Sequence, residues 1–183
     1  MNAICVFDKA SSINNSNIAK ISGYIGIHQC NSITNSCIVV NLSGFSPNKT
    51  HGIHIHEEGD LSKGCESLCA HYNPYGKLHG NVNIHGINRH VGDLINNIKS
   101  DDKGNVKIYF YDNLVSLFEP YSVIGRSIVI HENEDDLGKY RNESSERGKL
   151  SATTGNAGKR IACAIIGRTK RDFHKCDSHL NDF

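Results

Sequence analysis

The run Gly52-Ile53-His54-Ile55-His56 leaves the backbone little choice. Isoleucine alternates with histidine at period two, so the segment reads as a strand with Ile53 and Ile55 on one face and both imidazoles on the other. Two imidazoles at that spacing can reach one ion. Glu57 to Arg89 follows, rich in Gly, Asn, His and Cys and without sustained periodicity. A loop of that length inside a compact domain is expected to be functional or metal-stapled.

The rest of the chain repeats the strand signal. Ala3–Phe7, Lys20–Ile27, Ser36–Leu42, Gly92–Lys99, Val106–Tyr111, Ser127–His131 and Arg160–Ile166 are short apolar or alternating runs bounded by turn-forming residues. With the histidine strand they make eight. A second long loop, charged and glycine-containing, spans Asp135 to Lys159. The pattern is that of an antiparallel sandwich or barrel. Seventeen glycines, one methionine and no tryptophan agree with short strands and tight turns.

The 183 residues fit one core. Lys plus Arg number 20 against 19 Asp plus Glu, so the basic excess of a nucleic-acid binder is missing and no nucleic-acid partner is expected. No apolar stretch approaches the roughly eighteen residues of a membrane span, and no membrane partner is expected. The first residues lack the basic flank and long apolar run of a signal peptide, and a cytoplasmic protein is the expectation. Abundant Asn, Ile and Lys hint at an AT-rich genome, that of a parasite or a large DNA virus; a viral source would place the protein in host cytoplasm or the virion. Seven cysteines with no CxxC pair argue against a dense disulfide framework while leaving room for one bridge.

The eleven histidines are the oddity, and they cluster between His51 and His90. His71, His79, His90 and Asp93 offer three nitrogens and a carboxylate, a donor set suited to closed four-coordinate zinc. His85 competes with His79 for that role. His131 ends a distant strand.

These residues carry a resemblance. His51-Gly-Ile-His54-Ile-His56-Glu-Glu-Gly-Asp60, Gly64-Cys65, His71-Tyr-Asn-Pro74, His79-Gly80 and Arg89-His90-Val-Gly-Asp93-Leu resemble the signature region of copper/zinc superoxide dismutases. So do Val129-Ile-His131-Glu132, Asp135-Asp-Leu-Gly-Lys139 and Gly155-Asn-Ala-Gly158-Lys-Arg160-Ile-Ala-Cys163. The resemblance runs in family order from about Ala3 to Gly167.

It implies an all-β fold, an eight-stranded antiparallel Greek-key β-barrel or sandwich with two long functional loops, covering residues 1–167 and followed by a loosely held polar extension over 168–183. It implies one copper and one zinc per subunit. His54, His56, His71 and His131 would bind copper, and His71, His79, His90 and Asp93 zinc, with His71 bridging the two as an imidazolate. His79 is favoured over His85 because its distance from His71 matches the family. Asp135 would hydrogen-bond ligands of both ions. His51 matches a structural histidine. Arg160 matches an arginine over the open copper position, where it would attract a small anion. Lys149, Lys159 and Glu143 are candidates for shaping the field around it. Cys65 and Cys163 match the family disulfide.

The implied activity is disproportionation of superoxide to dioxygen and hydrogen peroxide, with His71 carrying a proton to the nascent peroxide and zinc doing no redox work. The implied partner is a second copy in a homodimer, packed through Ile124-Gly125 and Ile165-Ile166-Gly167, with Glu58 and Arg168 pairing across the seam. Lys159 and Ile161 stand where proline goes with strict chaperone dependence in similar enzymes, so a copper chaperone is expected to be dispensable. Non-catalytic readings, a chaperone's dismutase-like domain, a decoy or a metal store, compete with this one. Such relatives typically lose a copper ligand or the arginine, whereas His131, Asp93 and Arg160 are all present here. In the tail, His174, Cys176 and His179 are expected to be solvated.

Overall fold

In the computed structural model, residues 1–8 and 21–173 are described. Ten strands follow one another along the chain: β1 Asn2–Phe7, β2 Ser22–His28, β3 Ser36–Ser43, β4 Thr50–His56, β5 Ser62–Cys65, β6 Asn97–Lys99, β7 Asn105–Asp112, β8 Ser127–His131, β9 Arg160–Ile165 and β10 Gly167–Arg168. Two antiparallel sheets form, a five-stranded one in the order β10-β1-β2-β3-β7 and a four-stranded one in the order β6-β4-β8-β9. The all-β antiparallel sandwich is thus present, as two sheets that do not close into one eight-stranded barrel.

Alternation explains the layering. Ile53 and Ile55 of β4 and Ile128 and Ile130 of β8 are fully or almost fully buried and join one core with Ile25, Ile27, Ile38 and Val40 of the facing sheet. The register pairs Ile53 with Ile130 and His54 with Val129. By period two, His54, His56 and His131 therefore share the opposite face of the second sheet. Although that face points away from the core, all three are buried. The two long connections, 57–89 and 132–159, cover them.

Both connections hold structure that the sequence patterns did not reveal. The first carries β5 and a four-residue helical turn, α1 Val82–His85. The second carries α2 Glu146–Thr153, started by Ser145, whose side chain accepts from the Gly148 amide. The strand expected over Gly92–Lys99 shrinks to Asn97–Lys99. Ahead of it Val91–Asp93 forms a 3₁₀ turn, and Leu94 and Asn96 take φ of 49° and 64°, which no strand tolerates.

The second strand was expected from Lys20, which lies outside the described residues, as do His174, Cys176 and His179. The expectation of a loosely held segment from residue 168 does not hold for its first residues. Arg168 pairs with Ala3 of β1, and Phe173 is fully buried with its ring against Gly26. A Cβ at Gly26 would meet that ring at 2.4 Å, so only glycine leaves room for it.

Candidate metal centre

Six histidines and two aspartates meet on the loop-covered face of the second sheet. His54 and His56 come from β4, and His131 from the end of β8, where a register shift bends the strand. His71 arrives from the first loop, held beside β4 by the Tyr72 amide donating to Ile55 O at 2.8 Å and the Glu57 amide donating to Ala70 O at 2.9 Å. Donor atoms of His54, His56, His71 and His131 lie within 4.8 Å of one another, and so do those of His71, His79, His90 and Asp93.

Hydrogen bonds decide which ring nitrogen faces which group. His56 Nδ1 lies 2.8 Å from Cys69 O and His131 Nδ1 lies 3.1 Å from Gly158 O. Each Nδ1 must donate there, so each Nε2 keeps its lone pair. Those two Nε2 atoms face one another at 3.4 Å in a buried space. His54 donates Nε2–H to Asp135 Oδ2 at 2.6 Å, and its buried Nδ1 has no hydrogen-bond partner. His71 Nε2 is likewise buried and unpartnered. Four lone pairs converging without a proton among them is costly unless a cation sits between them.

The second group is built around one carboxylate. Asp93 Oδ2 accepts from the amides of Gly80 and His90, both at 2.9 Å. Its Oδ1 faces three ring nitrogens, His79 Nδ1 at 2.8 Å, His90 Nδ1 at 3.0 Å and His71 Nδ1 at 3.1 Å. The edge of a tetrahedral zinc site with bonds near 2.0 Å is about 3.3 Å, so the spacing suits that ion. His90 Nδ1 approaches at hydrogen-bond distance but without hydrogen-bond geometry.

Asp135 ties the groups together. Besides His54 it receives His79, whose Nε2 lies 3.0 Å from Oδ1 and 2.9 Å from Oδ2. His54, His79 and Asp135 are near enough to hold an ion themselves. Because both Nε2–H groups are spent on the carboxylate and both Nδ1 atoms face elsewhere, the trio is better described as a hydrogen-bonded bridge. Asn97 of β6 fixes the Asp135 backbone from both sides, at 2.8 and 2.9 Å. Gly155, with φ of 65°, packs so tightly that a Cβ would sit 2.4 Å from the carboxylate.

Burial, reinforced by neighbouring rings, holds His54 and His71 well below the ordinary histidine range. Burial, then His71 and Arg160, lowers His56 to about 2. Burial also lowers His79, but its bonds to Asp135 and Asp93 outweigh that and raise it to about 10. For Asp93 burial acts upward, and the three imidazoles overcome it, keeping the carboxylate well below its usual range.

The metal-free chain is therefore expected to lose stability as pH falls below the unfolded histidine value of about 6.5. Unfolding then lets His54, His56 and His71 take protons they refuse when folded, about 1.4 kcal/mol per pH unit for each. His79 does not offset this, since below 6.5 it is protonated in both states; its own contribution disappears as pH rises toward about 10. Thermal melts of chelator-treated protein at pH 5 and pH 7 check the sign, and an equal or higher Tm at pH 5 would contradict it.

A cleft of about 290 Å³ opens onto the first group, lined by His56, His71, His131, Thr154, Gly158 and Arg160. The Arg160 guanidinium is fastened to the first loop, with Nη1 donating to Cys65 O at 2.6 Å and Nη2 to Cys69 O. The Cys65–Cys163 disulfide joins that loop to β9 across 98 positions of sequence. Two of the three candidate steering charges, Glu143 and Lys149, already have partners. Glu143 pairs with Arg147 at 2.7 Å, and Lys149 lies 3.7 Å from Glu146, all on the exposed surface.

The structure thus brings His54, His56, His71, His79, His90, His131, Asp93 and Asp135 together, with Arg160 at the mouth. His51 stands behind, its Nδ1 on His131 O at 2.8 Å. His85 joins neither group; its Nδ1 accepts from the Asn81 amide at 2.8 Å. Sequence reasoning missed the carbonyls of Cys65 and Cys69, because a main-chain acceptor leaves no mark on residue type. It also missed Thr154 and Leu150 at the cleft wall, for which the Ser145 cap was the available signal.

The model of the copper/zinc superoxide dismutase family matches residues 21–166. A superoxide dismutase [Cu-Zn] of Paramecium bursaria Chlorella virus 1 is 48% identical over 136 residues, 74% of this chain and 68% of that protein. Those of Schizosaccharomyces pombe and Saccharomyces cerevisiae are 45% and 43% identical, covering 81% and 82% of this chain and 91% and 92% of their own lengths. Among solved structures, the clock protein EA4 superimposes with a TM-score of 0.75 at 38% identity, covering 91% of this chain and 93% of that one.

Proposed function

The chain belongs to the copper/zinc superoxide dismutase family, and from that premise we propose how its own residues disproportionate superoxide to dioxygen and hydrogen peroxide. His54, His56, His71 and His131 would hold copper, and His71, His79, His90 and Asp93 would hold zinc. The observation that carries this reading is the pair of inward-facing, proton-free nitrogens on His56 and His131, each with its only N–H committed to a carbonyl. Bound copper would supply one-electron redox chemistry, which zinc does not offer.

The residues provide the rest. Arg160, clamped on the Cys65 and Cys69 carbonyls, presents a fixed cation at the cleft and orients the anion toward the His56 and His131 side. His71 Nε2, buried and without a partner, takes a proton and delivers it to the departing peroxide. Asp135 keeps the His54 and His79 rings turned for binding.

Arg160→Ala is expected to lower kcat/KM on the order of tenfold to a hundredfold and to flatten its dependence on ionic strength, with copper and zinc content unchanged. Superoxide decay followed by stopped flow, with metal analysis on the same sample, checks this. Equal rates for variant and parent would remove Arg160 from the mechanism, and absence of turnover in metal-loaded parent protein would favour a binding protein instead.

We further assign a homodimer whose seam uses exposed Ile165, partly buried Ile124, Gly125 and Gly167, with Glu58 and Arg168 pairing across it, while Ile166 is fully buried and takes no part; a monomeric mass in light scattering would refute it. Copper loading without a chaperone rests on Lys159 and Ile161, and copper-free protein from a chaperone-deleted host would overturn it. The location assigned is cytoplasmic; among the described cysteines Cys5, Cys30 and Cys69 are free thiols and Cys37, Cys65 and Cys163 are disulfide-bonded. No helix among the described residues is long and apolar enough to cross a membrane. The domain comprises residues 1–167, and the extension from 168 begins by completing the five-stranded sheet.

A further inference from the structure

Outside the metal centre, the start of β1 and the end of β2, interior strands of the first sheet, assemble a second reactive group. Asn2 of β1 lies directly opposite His28 at the end of β2. His28 Nδ1 is 2.8 Å from Asn2 Oδ1, and His28 Nε2 is 3.3 Å from the Sγ of Cys30, an exposed free thiol. The Phe173 amide also donates to Asn2 Oδ1, at 3.4 Å, which marks that atom as the oxygen. An amide oxygen cannot donate, so the His28 proton sits on Nδ1 and the Nε2 lone pair faces the thiol.

The residue between base and nucleophile is immobilised. Gln29 is buried, its amide donates to Met1 O at 3.0 Å, and its side chain bonds Thr34 O at 2.8 Å and the Leu117 amide at 2.7 Å. Cys30 therefore sits at a fixed distance from its base while its sulfur remains open to solvent. No part of the dismutation reaction uses this constellation.

We propose that Asn2, His28 and Cys30 form a peroxide-reactive thiol site, with hydrogen peroxide as its substrate. His28 Nε2 takes the thiol proton. The sulfur attacks one peroxide oxygen, the O–O bond breaks, sulfur is oxidised by two electrons to a sulfenic acid, and the leaving hydroxide recovers the proton from His28 as water. The oxidant is the product of the chain's own dismutation and reaches the thiol by diffusion. The site needs only peroxide, and its test uses added peroxide to separate it from the metal chemistry.

The experiment treats full-length, metal-loaded protein with near-stoichiometric hydrogen peroxide in the presence of dimedone and measures adducts at each cysteine by peptide mass spectrometry. Cys69, also exposed, is the internal reference. Cys30 is expected to be labelled at least about tenfold faster than Cys69, with a loss on the order of tenfold in His28→Gln and a smaller loss in Asn2→Ala. Retained dismutation shows that the variants are folded. Equal labelling of Cys30 and Cys69 in the parent protein, or undiminished labelling of Cys30 in folded His28→Gln, overturns the proposal. Should His28→Gln not fold, the parent ratio and Asn2→Ala decide.

Discussion

Superoxide turnover in a His71→Ala chain is expected to fall by about two to four orders of magnitude, with both metals bound poorly. The ring belongs to both donor groups. Its Nδ1 lies 3.1 Å from Asp93 Oδ1, its Nε2 is buried without a partner, and its centroid is 4.0 Å from that of His54. Alanine leaves each group one donor short and takes away the proton carrier beside the cleft. Native mass spectrometry after dialysis against a mild chelator, together with stopped-flow decay of superoxide, measures both effects. His85→Ala is the control: that histidine accepts from the Asn81 amide and touches neither group, so metals and rate should persist. Full activity in His71→Ala, or collapse in His85→Ala, would overturn the site as drawn.

The second large effect concerns stability. Cys65 and Cys163 close a loop spanning 98 positions, and in the chain-entropy account a closure near that size contributes about 4.7 kcal/mol. A Cys65→Ser, Cys163→Ser double variant should therefore melt roughly 10 °C or more below the parent under matched metal load. Turnover should suffer as well, since the loop that offers Cys65 O and Cys69 O to Arg160 would no longer be tied to β9. The two effects are separable: Arg160→Ala should reproduce the fall in kcat/KM with little of the fall in Tm. Differential scanning calorimetry and kinetics on both variants resolve them. An unchanged Tm in the double variant would show that packing, with Cys65, Leu68, Val129 and Cys163 forming their own small cluster, holds the loop unaided.

What was legible in the chain depended on whether its physics is local. The period-two alternation of residues 52–56 fixed the strand and the shared face of His54 and His56, and the two long aperiodic stretches marked the loops that bury them. Family resemblance then singled out His131 and Asp135, which no spacing argument connects to β4. Position 92 onward failed as a strand because Asp93 must cap its own 3₁₀ turn, receiving the His90 amide while meeting three imidazoles; that tertiary demand overrides the β-propensity of the run. Helix α2 escaped notice because Glu146–Thr153 has almost no apolar periodicity and buries only Gly148 and Ser151. The Asn2–His28–Cys30 arrangement was invisible for a simpler reason: it exists only once the register of β1 against β2 is known.

Asp135 gives the centre a memory of what it already holds. One carboxylate, immobilised by Asn97 and hemmed in by Gly155, grips a ring from each donor group. A cation on one side would draw on its ring's hydrogen bond to that fixed carboxylate and so act on the opposite imidazole, coupling the two affinities. Half-filled molecules should accordingly be scarce during loading, and stripping either metal should loosen the other.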